Sequence, residues 1–229
     1  MNSLFITGTD TDIGKTYVSA GIAITLRKMG IDVGIMKPFA AGIKQKTGFK
    51  SKDVQILVNA AKVNDLEMLL NPQFFPIMAS PYTAFKNLKI KPNIKLILSQ
   101  FKKLSKLHSM ILVEGMGGIM TPILENYFVT HLIKDMKLPA IIVAGNKIGT
   151  INHTIMTCIM CKKYKIPLKG IIINNFHPGG YDAKQLKRDL ENLTNVPMLG
   201  TIPRINNFTE KSLYQIFKKN IDFKSILNS

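Results

Sequence analysis

The chain has 229 residues, 46% of them hydrophobic, with Gly 16 and Pro 11, enough for one sizeable core and unlike a disordered chain, so a single domain over 1–229 is expected. Lys+Arg 31 against Asp+Glu 14 gives a net charge of +17. The lysine pairs Lys102-Lys103, Lys162-Lys163 and Lys218-Lys219 are dispersed and not interleaved with aromatics, which argues against a nucleic-acid partner and for a general pull on phosphates and carboxylates.

In chain order, Leu4 to Thr7 is a short apolar strand, and Thr16 to Met29 has helical periodicity stopped by Gly30. Asp32 to Met36 gives a second strand, closed by Pro38, and Asp53 to Ala61 is helical. Asn71 to Pro92 is rich in Pro and Asn and is the least regular part, before a helix from Asn93 to Leu107. Met110 to Val113, Ala140 to Ala144 and Gly170 to Ile173 are continuous apolar runs, the pattern of strands buried on both faces of a parallel sheet. Helices are expected over Phe128 to Met136, Asn152 to Tyr164, Ala183 to Leu193 and Ser212 to Lys219. The alternation predicts an α/β fold of three layers, with a mostly parallel sheet flanked by helices.

No stretch reaches the roughly 18 apolar residues that a membrane span needs, and Met1 to Ile6 carries no basic leader. The expectation is therefore a cytoplasmic protein with no membrane partner. The two cysteines, Cys158 and Cys161, lie within a helical segment, and the four histidines are scattered. Buried thiols without a redox or metal role are expected.

The run Thr7-Gly8-Thr9-Asp10-Thr11-Asp12-Ile13-Gly14-Lys15-Thr16 follows a strand and opens a helix, the context of a phosphate-binding loop. Gly8 lies one residue too far upstream for the usual spacing, and Thr9 takes the place of the first glycine. Backbone N–H groups from Asp12 to Thr16 can ring a phosphate at the helix start, Lys15 can reach the outer phosphates of ATP, and the Thr16 hydroxyl can ligate magnesium. Glu114, at the tip of the strand Met110 to Val113 and followed by Gly115, Gly117 and Gly118, is a second magnesium candidate, and Asp53 a third. Lys37, pinned by Pro38 at a strand end, should project into the cleft and stabilise transferring charge. Asn174 and Asn175 close a later strand, where an amide can give and accept a hydrogen bond toward a purine edge.

These residues together make the chain resemble dethiobiotin synthetase over essentially its whole length. The extended loop Gly8 to Thr16 carries the resemblance, with Lys37-Pro38 and Gly42, Val113 to Gly118, Gly145 to His153, Asn174, and a Gly200-Thr201-Ile202-Pro203 turn. The resemblance implies a homodimer with a substrate site shared at the interface, and 7,8-diaminopelargonate, CO2 and MgATP as substrates. It implies Thr16, Asp53 and Glu114 as magnesium ligands, and Lys37 with Lys15 as the catalytic lysines. Nucleotide contacts would come from Asp12, Ile13, Gly14, Lys15, Thr16 and Tyr17, from Glu114, Gly115, Met116 and Gly117, and from Asn174 and Asn175. Pro203, Arg204 and Ile205 would lie on the adenine side and Glu210 on the ribose side. The diamine would meet Thr11, Lys37, Ala41, Gly117 and Gly118, with Asn152 and His153 near its carboxylate across the dimer.

One position departs from the family: Ala41 stands where a hydroxyl residue is usual, which implies weaker diamine binding or a compensating contact. Two other classes are weighed. Partitioning ATPases carry an extra lysine at the loop start, where this chain has Thr9, Asp10 and Thr11. Amidoligases of cobyrinate type normally add a glutamine-hydrolysing domain, for which 229 residues leave no room.

Overall fold

The computed structural model describes residues 3–228. In chain order its elements begin with β1 (Leu4–Gly8), α1 (Lys15–Lys28), β2 (Val33–Met36), β3 (Phe39–Ala41), α2 (Lys52–Ala61), α3 (Glu67–Leu70) and β4 (Gln73–Phe75). They continue with α4 (Pro81–Leu88), α5 (Ile94–Leu107), β5 (Met110–Gly118), β6 (Pro122–Leu124), β7 (Tyr127–Phe128), α6 (Val129–Met136) and β8 (Ala140–Gly145). The last are α7 (Thr150–Lys163), β9 (Leu168–Asn174), α8 (Ala183–Thr194), β10 (Met198–Ile202), α9 (Glu210–Asn220) and α10 (Phe223–Leu227).

Six strands form one sheet in the order β10-β9-β8-β1-β5-β2, and every neighbouring pair is parallel. Every residue of β1, β2 and β8 is buried, as apolar runs covered on both faces require. Helices flank the sheet: α1 packs on α2 and α9, α5 on α3 and α6, and α7 on α8. The α1–α9 approach is close because Gly21 has no side chain. A β-carbon there would lie 2.2 Å from Phe217 Cε2, and the Phe217 ring fills that space, fully buried. A buried phenyl group of this kind contributes roughly 1.5–3 kcal/mol relative to exposure.

Three sequence expectations change. The strand read as Met110 to Val113 runs on to Gly118, because Gly115 and Gly118 allow close passage beside β1. A β-carbon on Gly115 would meet Phe5 Cε1 at 2.7 Å. Gly200, Thr201 and Ile202 belong to β10 rather than to a turn, since Thr201 pairs with Ile173 and Ile202 with Asn174. The irregular stretch from Asn71 to Pro92 contains β4 and α4, with Pro81 at the helix start and Ser80 Oγ accepting from Thr83 N.

No helix among the described residues is long and apolar enough to cross a membrane. Cys158 and Cys161 are buried free thiols on α7. Burial pushes Cys158 up to about 11, and burial with the neighbouring Cys158 pushes Cys161 up to about 12, so the reactive thiolate is disfavoured.

Candidate active site

The phosphate loop leaves β1 at Gly8 and enters α1 at Lys15. Gly14 caps the helix with left-handed backbone (φ 81°, ψ 25°) and no side-chain cap, so the first-turn N–H groups face outward for a ligand. Glycine is required there twice over. Its positive φ strains any other residue, and a β-carbon would lie 2.3 Å from Asn174 Nδ2. Asp12 is also left-handed, at φ 55°, in a region that non-glycine residues enter at a cost. From the end of β9, Asn174 Nδ2 donates to the Ile13 carbonyl at 2.8 Å and ties the loop to the sheet.

Lys15 is buried, and its ammonium donates to the Asp10 carbonyl at 2.7 Å. Burial lowers its pKa to about 8, the nearby Lys37 lowers it too, and Glu114, Asp10 and Asp12 oppose the shift. A weakly solvated cation held inside a ring of amides suits an incoming polyphosphate.

Lys37 follows β2 directly and its backbone is fixed on both sides. Lys37 N donates to Leu70 O at 2.7 Å, and Asn71 Nδ2 donates to Lys37 O at 2.7 Å. Its Nζ lies 2.6 Å from Glu114 Oε1 and 2.5 Å from Asp53 Oδ2, while Thr16 Oγ1 donates to the same Glu114 oxygen at 2.8 Å. Burial by itself lowers the Lys37 pKa, but the Glu114 and Asp53 carboxylates outweigh it and the net direction is up. Thr16, Lys37, Asp53 and Glu114, the four residues singled out for metal and phosphoryl chemistry, therefore converge on one point.

A divalent cation implied by the family fits this point. Glu114 Oε2 is a buried carboxylate oxygen with no partner, while Oε1 of the same carboxylate accepts from the Thr16 hydroxyl and shares the Lys37 ammonium with Asp53, at the start of α2. Hard cations take oxygen ligands of this sort. No cluster of three or more His, Cys, Asp or Glu suited to a metal occurs among the described residues.

Around this point opens a cleft of about 600 Å3, bordered on the nucleotide side by Thr11, Asp12, Gly14, Lys15, Thr16 and Tyr17. Lys37, Ala41 and Asp53 line it from β2, β3 and α2, and Gly115, Met116 and Gly117 from β5. Met78, Ala79, Ser80, Thr121 and Pro122, none of which belongs to a recognisable motif, complete the wall. The signal that was present is Ser80-Pro81, a helix start that the irregular composition around it obscured. A second cleft of about 280 Å3 adjoins it, shares Asp12, Gly14 and Tyr17, and is closed by Asn174, Phe176, Arg204, Ile205 and Phe208. The Tyr17 and Phe208 rings lie 4.4 Å apart at 39°, an aromatic wall next to the phosphate loop.

Some expected residues stand elsewhere. Asn175 and Pro203 line neither cleft; Asn175 N is spent on Ile202 O at 2.9 Å. Gly118 borders the loop, where a β-carbon would lie 3.5 Å from Gly8 O and Thr9 O. Glu210, expected on the ribose side, lines neither cleft, and its carboxylate meets Arg27 at 2.7 Å, Lys62 at 3.3 Å and Lys28 at 3.4 Å. The Arg27 hydrogen bond, with Lys62, holds Glu210 down at about 2. Asn152 and His153 lie in the first turn of α7, exposed and half-buried respectively, outside both clefts of their own chain.

Over 227 residues, 99% of this chain and 100% of the relative, the sequence is 67% identical to ATP-dependent dethiobiotin synthetase BioD of Nitrosopumilus maritimus. The chain belongs to the dethiobiotin synthetase family. Family resemblance extends to BioD of Bacillus subtilis strain 168, 34% identical over 100% of this chain and 98% of that protein. A family profile described as an AAA domain matches residues 2–212. Among solved structures, the MinC:MinD cell division complex of Aquifex aeolicus aligns with a TM-score of 0.57 at 16% identity, over 93% of this chain and 91% of that one. MinD from Pyrococcus horikoshii complexed with Mg-ADP aligns with a TM-score of 0.54 at 14% identity, over 94% of each chain. At such identities the likeness establishes the P-loop fold and nothing finer.

Proposed function

We propose that the chain catalyses the ATP- and magnesium-dependent carboxylation of 7,8-diaminopelargonate, closing the ureido ring to give dethiobiotin, ADP and phosphate. The observation that carries this is the convergence of Lys15, Thr16, Lys37 and Asp53 on one cleft, with Glu114 buried behind Thr16 and Lys37, in a chain 67% identical to a protein named for that activity.

In the proposed sequence one substrate amine, as the free base, adds to CO2 and loses a proton, giving a carbamate. A carbamate oxygen attacks the γ-phosphorus of ATP, the bond to the β-phosphate oxygen breaks, and ADP leaves. The neighbouring amine then attacks the carbonyl of the mixed anhydride, phosphate departs, and a second proton is released as the ring closes. Such a path needs positioned reactants and compensated charge rather than a protein nucleophile. Thr16, Asp53 and Glu114 would hold the magnesium, which when bound neutralises charge on the outer phosphates. The loop amides from Asp12 to Thr16 seat the phosphates, and Lys15 offers its ammonium from within the loop. Lys37 is a fixed cation at the border between the phosphate loop and the wall formed by Ala41, Met116 and Met78. From there it offsets the negative charge shared by carbamate and phosphoryl group.

The diamine is assigned to the side of the cleft built by Ala41 and Gly117, with Thr11 at its border with the phosphate loop and Gly118 behind, against Gly8 and Thr9. Its carboxylate is assigned to the first turn of α7 of a second copy, around Asn152 and His153, where a helix N-terminus favours an anion. Homodimerisation is supported by apolar side chains exposed near that turn and along the helix: Ile148 is 77% exposed, Ile159 58% and Met156 48%. A soluble cytoplasmic setting fits these assignments. The test combines purified protein, MgATP, labelled bicarbonate and 7,8-diaminopelargonate, and scores acid-stable label in dethiobiotin beside ADP release. Label incorporated only with all components present is the expected result; ATP hydrolysis with no labelled product overturns the proposal.

A further inference from the structure

Lys37 stands just past the last paired residue of β2, where Met36 meets Val113, and β2 is an edge of the six-stranded sheet. Its outer side is covered by residues 70–75 instead. β3 pairs in parallel with β4, Phe39 opposite Gln73 and Ala41 opposite Phe75. Carried two residues back, that register sets Lys37 opposite Asn71. A residue in a parallel ladder donates to the carbonyl preceding its partner and accepts from the N–H following it. The first of these bonds is present, from Lys37 N to Leu70 O at 2.7 Å. The second would have to come from residue 72, which is a proline without an N–H.

Asn71 provides the missing donor from its side chain. Nδ2 donates to Lys37 O at 2.7 Å and lies 3.3 Å from Gln73 O. Two carbonyl oxygens around the nitrogen fix the orientation of the amide, since a flipped side chain would set oxygen against oxygen. Its backbone is held as well, because Asn71 N donates to Glu67 O at 2.7 Å as α3 ends. Asn71 is buried and its Oδ1 has no partner. An unpaired buried acceptor costs stability, so the donor end is what this position needs. Lys37 is itself buried, and without Nδ2 its carbonyl would be orphaned.

We propose that Asn71 is a positioning residue for Lys37: its side-chain amide stands in for the backbone N–H that Pro72 lacks, and so fixes the segment from which Lys37 reaches Asp53 and Glu114. Asn71 does not line the cleft and touches no reacting group. It acts through the lysine, whose ammonium has to meet the transferring group from a set point. The inference rests on the proposed function for the role given to Lys37.

The test uses the purified full chain with Asn71→Ala, Pro72→Ala and the double variant Asn71→Ala/Pro72→Ala. Steady-state ADP release with the diamine and bicarbonate is measured beside hydrogen exchange of the Lys37 amide by NMR. In Asn71→Ala, kcat should fall by about 10- to 100-fold. The KM for ATP should stay within about threefold, because the phosphate loop is built without Asn71. Exchange of the Lys37 amide should quicken by at least about tenfold. The double variant regains a backbone donor at residue 72, and both readouts should return to within about threefold of Pro72→Ala alone. A general loosening of the fold would not be repaired by removing a proline.

A folded Asn71→Ala chain with full kcat and an unchanged exchange rate overturns the inference. A double variant as impaired as Asn71→Ala overturns it too, since the side chain would then not be replacing the missing N–H. Should Asn71→Ala fail to fold, the double variant decides: recovery of both readouts supports the surrogate donor, and failure to fold overturns it. An unmodified chain that makes no labelled dethiobiotin overturns the proposed function, while the exchange rates still decide whether Asn71 holds Lys37.

Discussion

Lys37 Nζ lies 2.6 Å from Glu114 Oε1 although the two residues are 77 positions apart in the chain. Both are buried, and Asp53 and Thr16 share the same meeting point. Removing one partner of a buried pair leaves the other charge uncompensated, at a cost of about 3–5 kcal/mol. Lys37→Met keeps the apolar stem and deletes the cation, so melting should begin at lower temperature. Turnover should fall by at least about 100-fold if the cation also steadies the transferring group. Steady-state assays beside circular dichroism separate the effects. A folded Lys37→Met enzyme with full turnover would show that the lysine only neutralises Glu114.

Gly14→Ala should damage the loop in two ways. The residue would keep a left-handed backbone, costing roughly 1–2 kcal/mol, and its methyl carbon would stand 2.3 Å from Asn174 Nδ2. The hydrogen bond from Asn174 to Ile13 O must then lengthen. Loss of detectable ATP binding with a modest fall in thermal stability is expected by calorimetry and differential scanning. Unchanged ATP affinity would mean that the loop relaxes without needing its tie to β9.

What the sequence revealed, and what it hid, follows from how local each signal is. The phosphate loop and the strands around Phe5, Leu112 and Ile142 were legible because spacing and continuous apolar runs are local properties. β10 was hidden because Gly200 reads as a turn residue, yet it is a strand position where a β-carbon would lie 1.9 Å from Asn220 O. Met78, Ser80 and Thr121 come to the cleft only through the packing of α4 against β6, which no spacing rule encodes. The pairing of Lys37 with Glu114 could be suspected from two strand ends, but their adjacency depends on β2 lying beside β5.

His108 joins the lower ends of the strands as a pH-dependent brace. Its Nδ1 lies 2.9 Å from Asp32 Oδ1 and its Nε2 3.0 Å from Asp65 Oδ2. Burial lowers the imidazole pKa, but hydrogen bonds to the two carboxylates carry the net value above 6.5. The His108 hydrogen bond lowers Asp32 below 3.8. A raised histidine contributes its stability fully below its unfolded pKa and loses it as pH rises through the folded one. A lowered aspartate contributes above its unfolded pKa and loses it as pH falls through the folded one. Urea midpoints should therefore fall as pH rises above the ordinary histidine value of 6.5, and His108→Gln should flatten that decline. An equally steep decline in the variant would assign it to other groups.

Glu210 tests where the nucleotide ends. Its carboxylate is engaged by Arg27, Lys28 and Lys62 at the far end of α1 from the phosphate loop. Glu210→Gln should leave the KM for ATP within about twofold and reduce stability by no more than about 1 kcal/mol, as expected for a partly exposed ion-pair network. A rise in KM of tenfold or more would restore the carboxylate to a ribose contact that forms only when nucleotide binds.

Ala41 tests the other end of the cleft. It lines the wall beside Met78 and Lys37, on β3, where backbone pairing to Phe75 fixes its direction. Ala41 is half-buried, so Ala41→Ser adds one oxygen with room to reach a ligand. If the diamine occupies this side, a hydroxyl that meets it adds one hydrogen bond, and the KM for 7,8-diaminopelargonate should drop by about two- to tenfold. Such a contact is uniform binding, equal in the ground and transition states, so kcat should hardly change. Ser80 and Thr121 line the same cleft. An unaltered KM in Ala41→Ser, with a raised KM in Ser80→Ala or Thr121→Val, would show that the missing hydroxyl has already been replaced from across the cleft.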